Sequence, residues 1–304
     1  MSRKVLITGG AGFIGSHVAD ALLAAGYRVR ALDSLEAQVH GESNGDPARR
    51  WPAHLAPSVE RVVGDICDPN LVRAALRGCD AVIHLAAAVG VGQSMYEVRN
   101  YTRINDLGTA TLLQALIEQP VRRLIVASSM SIYGEGLWLD EHDRPQRDVT
   151  RTLDQLRQRQ WEPRDAQGHA LHPAPTPETA PPQLASIYAL SKYDQEQACL
   201  IVGRAYRMPT IALRLFNVYG PRQALSNPYT GVLAIFASRL LNAKPPLIFE
   251  DGGQRRDFVH VTDVARAFQL ALDAESVSDA VFNIGSGHSC TVCEVAEALR
   301  RAMG

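Results

Sequence analysis

Lys4-Val5-Leu6-Ile7-Thr8-Gly9-Gly10-Ala11-Gly12-Phe13-Ile14-Gly15 is the stretch that decides how this chain of 304 residues folds. Lys4 to Thr8 is a short apolar run of strand type, and His17 to Ala25 carries Val18, Ala21, Leu22 and Ala25 on one helical face. Gly9, Gly12 and Gly15 therefore fall in a strand-to-helix turn. Glycine there permits positive φ and a close approach of the backbone to a ligand. The helix that follows, in which Phe13 and Ile14 stand at the start, offers free N–H groups and its positive dipole end to phosphates. Glycine spacing alone is a weak signal. It gains weight from the next strand, Tyr27 to Leu32, which ends in Asp33 at the distance where a carboxylate bonds the adenosine ribose hydroxyls. A carboxylate repels a 2′-phosphate, so the pattern predicts NAD rather than NADP.

Strands and helices keep alternating outward from this unit. Val59 to Gly64 reads as a third strand followed by Asp65-Ile66, and Leu71 to Leu76 as a helix. Ala81 to Ala87 reads as a fourth strand, Leu107 to Ile117 as a long helix, and Leu124 to Ser129 as a fifth strand ending in hydroxyls. Continuous apolar strands alternating with helices predict an α/β fold, a doubly wound parallel sheet covered on both faces. Ligands of such sheets bind at the carboxyl ends of the strands, where Asp33, Asp65, Ala86 and Ser129 fall.

Composition excludes several other classes. A net charge of −1 gives no electrostatic reason for a nucleic-acid or acidic-membrane partner. No run approaches the ~18 uninterrupted apolar residues of a transmembrane span, and the opening strand is too short for a signal-peptide core. The 5 cysteines are odd in number and scattered, which fits a reducing cytoplasm better than a disulfide framework. Cys290 and Cys293 form a lone Cys-x-x-Cys with no second pair or histidine cluster, so no metal site is expected.

A second motif, Tyr188-Ala189-Leu190-Ser191-Lys192, supplies chemistry. Free tyrosine has a pKa of about 10, too high for a general base at neutral pH without a nearby cation. Lys192 lies one helical turn after Tyr188, so its ammonium and the positive charge of a nicotinamide can both stabilise the phenolate. Together the motifs resemble the extended short-chain dehydrogenase/reductase family, the NAD-dependent nucleotide-sugar epimerases and dehydratases. The resemblance runs from Lys4 to about Arg301 through Thr8 to Gly15, Gly64-Asp65, His84 to Ala87, Asn105 with Gly108-Thr109, Ser128-Ser129 with Tyr133-Gly134, Tyr188 to Lys192, Arg214 to Pro221, Arg256 to Phe258 and Asn283 to Gly285. It implies that Gly9, Gly12, Phe13, Ile14, Gly15, Asp33, Asp65, Ile66, Leu85, Ala86, Ala87, Asn105, Tyr188 and Lys192 line the NAD site. It also implies that Ser129, Tyr188 and Lys192 carry the chemistry, and that Ser129, Asn217 and Arg256 contact the nucleotide sugar.

The 4,6-dehydratases that the chain resembles carry an Asp-Glu pair just after the strand-end hydroxyl, because eliminating water needs an extra acid and base. Those positions here are Met130 and Ser131. A carboxylate-free site suits reversible oxidation at one sugar carbon, with hydride passing to NAD and returning to the opposite face of the ketone, hence epimerisation. A net dehydrogenase of the same fold and a non-catalytic NAD sensor are the alternatives. The sensor would be expected to lack the set Ser129, Tyr188 and Lys192.

Tyr188 follows Ser129 by 59 residues, about twice what the family needs, so Trp138 to Pro175 reads as an insert. Within it, Thr150 to Trp161 is a candidate helix, followed by the loop-like Glu162 to Gly168 and then His172 to Pro175. The insert forms either a lid over the sugar or a surface excursion. Together with Gln223 to Val232 and Phe249 to Phe258 it resembles the dTDP-L-rhamnose 4-epimerase subgroup, with a UDP-hexose 4-epimerase as second choice. Members of that subgroup often place cysteine pairs in the insert; this chain has none there. The expected organisation is a Rossmann domain over residues 1–187, then the rest of its core interleaved with a nucleotide-sugar domain over 188–304. The resemblance implies a homodimer through Leu107 to Ile117 and Tyr188 to Ala205.

Overall fold

The computed structural model describes residues 3–41, 51–146, 149–224 and 231–303. In chain order the first half runs β1 (Lys4–Thr8), α1 (Phe13–Ala24), β2 (Arg28–Asp33), α2 (Ala37–His40), β3 (Glu60–Val63), α3 (Pro69–Leu76), β4 (Ala81–His84), α4 (Val91–Ser94), α5 (Val98–Tyr101), a π-helical turn (Thr102–Leu107), α6 (Gly108–Glu118), β5 (Arg123–Ser129) and a 3-10 turn (Met130–Tyr133). The rest runs β6 (Leu137–Leu139), β7 (Pro145–Gln146), α7 (Leu153–Arg157), β8 (His172–Ala174), α8 (Ile187–Ala205), β9 (Thr210–Leu215), β10 (Asn217–Tyr219), α9 (Val232–Leu241), β11 (Arg255–His260), α10 (Val261–Asp273), β12 (Ala280–Ile284), β13 (Ser289–Thr291) and α11 (Val292–Met303).

Seven strands form one sheet in the order β12-β9-β5-β4-β1-β2-β3, and every neighbouring pair is parallel. Val5, Leu6 and Ile7 of β1 are all apolar because both faces of the strand are covered. Val5 and Ile7 point to one face, where Val18 and Leu22 of α1 and Val264 and Phe268 of α10 pack. Leu6 points to the other, among Val72 of α3, Leu112 and Leu116 of α6 and Cys199 of α8. Each such side chain, fully buried, contributes ~1.5–3 kcal/mol. The strand order reverses between β1 and β4, which opens a crevice at their carboxyl ends, the place where open α/β sheets take ligands. The doubly wound parallel sheet expected from the sequence is the one found.

A second sheet, β10-β11-β13, stands beside the carboxyl ends of β9 and β12. The insert differs from its reading. The helix expected over Thr150 to Trp161 spans only Leu153–Arg157, capped by the Thr152 hydroxyl and closed by Arg159 at φ 58°. That stretch lacks an apolar stripe to hold more turns against a core. The stretch at His172 forms β8, and with β6 and β7 it makes a third small sheet. Trp138, Val149 and Leu171 form the apolar cluster that supports it. Part of the stretch Gln223 to Val232, residues 225–230, lies outside the described residues.

Candidate active site

The glycine turn is shaped by what a side chain would strike. Gly9 has φ +71°, and a Cβ there would lie 3.0 Å from the Ala86 amide nitrogen. A Cβ on Gly15 would lie 2.2 Å from the Gly9 carbonyl oxygen, so any substitution opens the turn. Gly12 precedes α1 as its cap residue and no side chain caps the helix, which leaves its first N–H groups and dipole uncovered. Asp33 Oδ2 accepts from the Ala11 amide (2.9 Å) and Oδ1 from the Leu35 amide (2.9 Å). The carboxylate thereby fixes the turn, and it keeps lone pairs for two further donors such as ribose hydroxyls. These features fit a dinucleotide: uncapped N–H groups for the diphosphate and an oriented acceptor for the ribose.

Further along the crevice, Asp65 accepts from the Cys67 amide (2.9 Å) and from Arg103 (2.5 Å). Burial would raise the Asp65 pKa, but the Cys67 N–H and the Arg103 guanidinium outweigh it and hold the carboxyl below its usual range. Ile66 is buried beside it, against α3 and α6, while Leu85, Ala86 and Ala87 follow β4 half-buried at the crevice floor. Asn105 differs from a ligand-facing residue. It is fully buried in the π-helical turn, its Oδ1 accepting from the Ala88 amide (2.7 Å) and its Nδ2 donating to the Ala88 carbonyl (3.1 Å) and to Ser191 Oγ (2.9 Å). Both amide hydrogens are thus used to lock the loop after β4 to α8.

Tyr188 begins α8, whose cap Ser186 accepts from the Ala189 amide (3.0 Å). The Tyr188 amide donates to Ser94 Oγ (3.1 Å), and the edge of the Tyr101 ring meets the Tyr188 ring at a centroid distance of 6.4 Å and 89°. Burial pushes the Tyr188 phenol upward, and hydrogen bonding to Ser129 works the other way. Ser129 closes β5, where its Oγ accepts from the Ser131 amide (3.1 Å) and pairs with Ser131 Oγ (3.0 Å). Lys192, one turn below Tyr188, is 3% exposed, and burial brings its pKa down to about 8. Its Nζ donates to Gln195 Oε1 at 2.6 Å.

α8 is anchored from behind. Glu196, with no exposed surface, receives two hydrogen bonds from Arg214 of β9 (2.9 and 2.7 Å). The same guanidinium lies 5.0 Å over the Tyr133 ring and donates to its hydroxyl (2.7 Å), which donates on to Asn283 Oδ1 of β12 (2.8 Å). On the substrate side, Asn217 Nδ2 donates to the Asp257 carbonyl (3.0 Å) and sits 3.6 Å from Met130 Sδ. Arg256 is exposed on the neighbouring β11 and donates to the Arg255 carbonyl (2.8 Å). Glu135, exposed after the 3-10 turn, joins Glu250 in holding Arg151 of the insert, at 3.3 and 2.9 Å. Cys290 lies half-buried in β13 and Cys293 is exposed at the start of α11.

Sequence reasoning did not single out Tyr101, Ser94, Arg151 or Gln195. Gln195 could have been noticed, since it is an amide three residues past Lys192, on a helix face that is otherwise buried.

Fold and crevice together define a Rossmann-type nucleotide-binding protein with a tyrosine–lysine pair at the carboxyl edge of its sheet. The chain belongs to the NAD dependent epimerase/dehydratase family, whose profile matches residues 5–159 and 166–285. The dTDP-L-rhamnose 4-epimerase of Burkholderia thailandensis is 34% identical over 307 residues, covering 99% of this chain and 82% of the relative. A UDP-glucose 4-epimerase of Thermotoga maritima, solved with UDP-glucose, superposes with a TM-score of 0.77 at 32% identity, covering 98% of this chain and 82% of that one. The Thermus thermophilus UDP-glucose 4-epimerase, solved with NAD, gives 0.72 at 31% identity, covering 98% and 83%.

Proposed function

We propose that this chain epimerises a nucleotide-activated sugar at C4, with dTDP-L-rhamnose as substrate. The observation that carries the reaction type is the turn after Ser129: Met130 and Ser131 occupy the two positions where the dehydratases place an acid pair, so the site offers a hydroxyl and a phenol. Similarity to the Burkholderia enzyme supports the sugar. When bound, NAD supplies oxidation of the carbinol carbon and re-reduction of the resulting ketone. Gly9, Gly12, Gly15 and Asp33 would hold its adenosine diphosphate half.

Tyr188, as phenolate, removes the proton of the C4 hydroxyl, and Ser129 Oγ hydrogen-bonds the same oxygen to keep it in line. Lys192 keeps the phenolate accessible by placing a buried cation beside it. After the ketone has turned over, the Tyr188 hydroxyl returns the proton. Asn217 and Arg256 would receive the diphosphate, Arg as an always-charged multidentate donor.

Further expectations belong to the same reading. The boundary falls between 1–187 and 188–304, and a homodimer forms through the outer faces of Leu107 to Ile117 and of α8, where Leu107, Leu190 and Ile201 are 53%, 50% and 56% exposed. A cytoplasmic location accords with the free cysteines. Among the described residues no helix is long and apolar enough to cross a membrane.

The test is proton NMR of dTDP-L-rhamnose incubated with the purified protein and a trace of NAD. A new C4-epimer signal, absent with Tyr188→Phe, is expected. No change over hours removes that sugar, and turnover of UDP-glucose instead establishes the UDP-hexose reading, which the Thermotoga likeness supports.

A further inference from the structure

A chain of buried polar groups runs inward from Lys192, and its donors and acceptors give most of its bonds a direction. Thr8 Oγ1 accepts from the Ala86 amide (3.2 Å) and shares that of Leu85 (3.2 Å), so its own proton goes to His84 Nδ1 (2.7 Å). With Thr8 donating, His84 is assigned the Nε2–H tautomer and donates to Thr109 Oγ1 (2.9 Å), which leaves Gln195 Nε2, 3.2 Å from His84 Nε2, in contact without a bond. Thr109 spends its proton on the Asn105 carbonyl (2.5 Å) and accepts from Gln195 Nε2 (2.7 Å), which also reaches the Ala86 carbonyl (3.4 Å). The amide of Gln195 cannot flip. Flipping would set an N–H group against the Lys192 ammonium and an oxygen against the Ala86 carbonyl. The carbonyl oxygen of Gln195 is thus held at Lys192 Nζ by the Thr8, His84 and Thr109 side chains, each 1% exposed or less, and by the half-buried Ala86 main chain.

We infer that Gln195 is a positioning residue that keeps Lys192 cationic beside Tyr188 without cancelling its charge. This rests on the reading of Tyr188 and Lys192 as the proton-transfer pair. A buried ammonium pays a desolvation penalty, and an oriented carbonyl dipole offsets part of it. A carboxylate in its place would offset more, but its negative charge would oppose the phenolate.

Among the described residues Gln195 is the acceptor bonded to Lys192 Nζ, and the other groups act on it from farther off, Glu196 among them also favouring its ammonium. His84 on β4, driven to about 3 by burial and by Lys192 itself, stays neutral. On α8, Glu196 is engaged by Arg214 of β9, and the Cys199 thiol is pushed up to about 12 by burial and stays protonated. Asp106 of the π-helical turn faces Asp194, Arg103 of the same turn binds Asp65, Tyr133 of the 3-10 turn binds Arg214, and Tyr101 of α5 meets Tyr188 edge-on.

The test follows the Tyr188 phenolate by its ultraviolet absorbance in the NAD-loaded protein, with Tyr188→Phe in the same background subtracted, and so needs no turnover. In Gln195→Met, of similar volume, the Tyr188 midpoint is expected to rise by about one pH unit, a tenfold change, with NAD affinity kept. The alkaline limb of kcat is expected to move down, because Lys192 loses its acceptor. Gln195→Glu is expected to raise the Tyr188 midpoint as well while moving the alkaline limb up, a pair of signs that a packing role would not produce. An unshifted Tyr188 midpoint in Gln195→Met with NAD bound overturns the inference. Should Gln195→Met fail to bind NAD, isosteric Thr109→Val carries the test, since it removes the acceptor that orients the amide. A smaller rise supports the inference, and no rise overturns it. Absence of epimerase turnover with these midpoint shifts intact would count against the proposed reaction alone.

Discussion

Around Lys192, the side chains of Thr8, His84, Thr109 and Gln195 are buried and bonded to one another, whereas on β11 the side chains of Arg255 and Arg256 are exposed and donate to main-chain carbonyls. The same kinds of groups thus serve opposite ends. Where a proton must move, orientation is fixed during folding, so no reorganisation is needed at the moment of reaction. Where a charged ligand must enter and leave, the donors remain solvated and are free to adapt. The buried side is therefore expected to respond to substitution in kcat and stability, and the open side in KM.

Tyr188→Phe would sharpen this contrast most. It removes the proton acceptor and is expected to lower kcat by ~10²–10⁴-fold while leaving NAD affinity unchanged, as read by steady-state kinetics and cofactor titration. Next, Glu196→Ala leaves Arg214 charged and buried, and a loss of ~3–5 kcal/mol is expected in urea unfolding. Removal of Arg256 as Ala takes away a charge-assisted donor of ~1.5–3 kcal/mol, so KM for the nucleotide sugar should rise about ten- to a hundredfold with kcat nearly kept. A fall in kcat of the same size would break the comparison.

The pH profile is expected to be gentler near neutrality. Lys192 has to be charged to assist Tyr188, so activity is held below about pH 8 and falls by up to tenfold per unit above it. Smallest should be Arg151→Ala, which severs partly exposed ion pairs to Glu135 and Glu250 worth ~0.2–1 kcal/mol. A rise in sugar-nucleotide KM above fivefold would mark the insert as a lid.

How much of this was legible beforehand depends on where the physics is local. β1, the glycine turn and α1 follow from apolar runs and backbone sterics within a dozen residues, and the parallel sheet follows from alternation. Tyr188 and Lys192 were legible because one helical turn fixes their distance. The small sheet of the insert was not. β6 and β8 are three residues each and lie more than thirty residues apart in the chain, so no periodicity announces their pairing. Asn105 was expected at the NAD site, but its partners Ala88 and Ser191 come from two other elements and only the packed structure reveals them. Gln195 was hidden for the same reason, since its meaning lies in the orientation that Thr109 and Ala86 impose.

In the proposed reaction the hydrogen on C4 leaves and returns within the site while Tyr188 exchanges only the hydroxyl proton. Running the epimerisation of dTDP-L-rhamnose in D₂O and examining the product by NMR tests it directly. The account predicts protium retained at C4 of the epimer. Deuterium at C4 would mean inversion by deprotonation of that carbon and would contradict it.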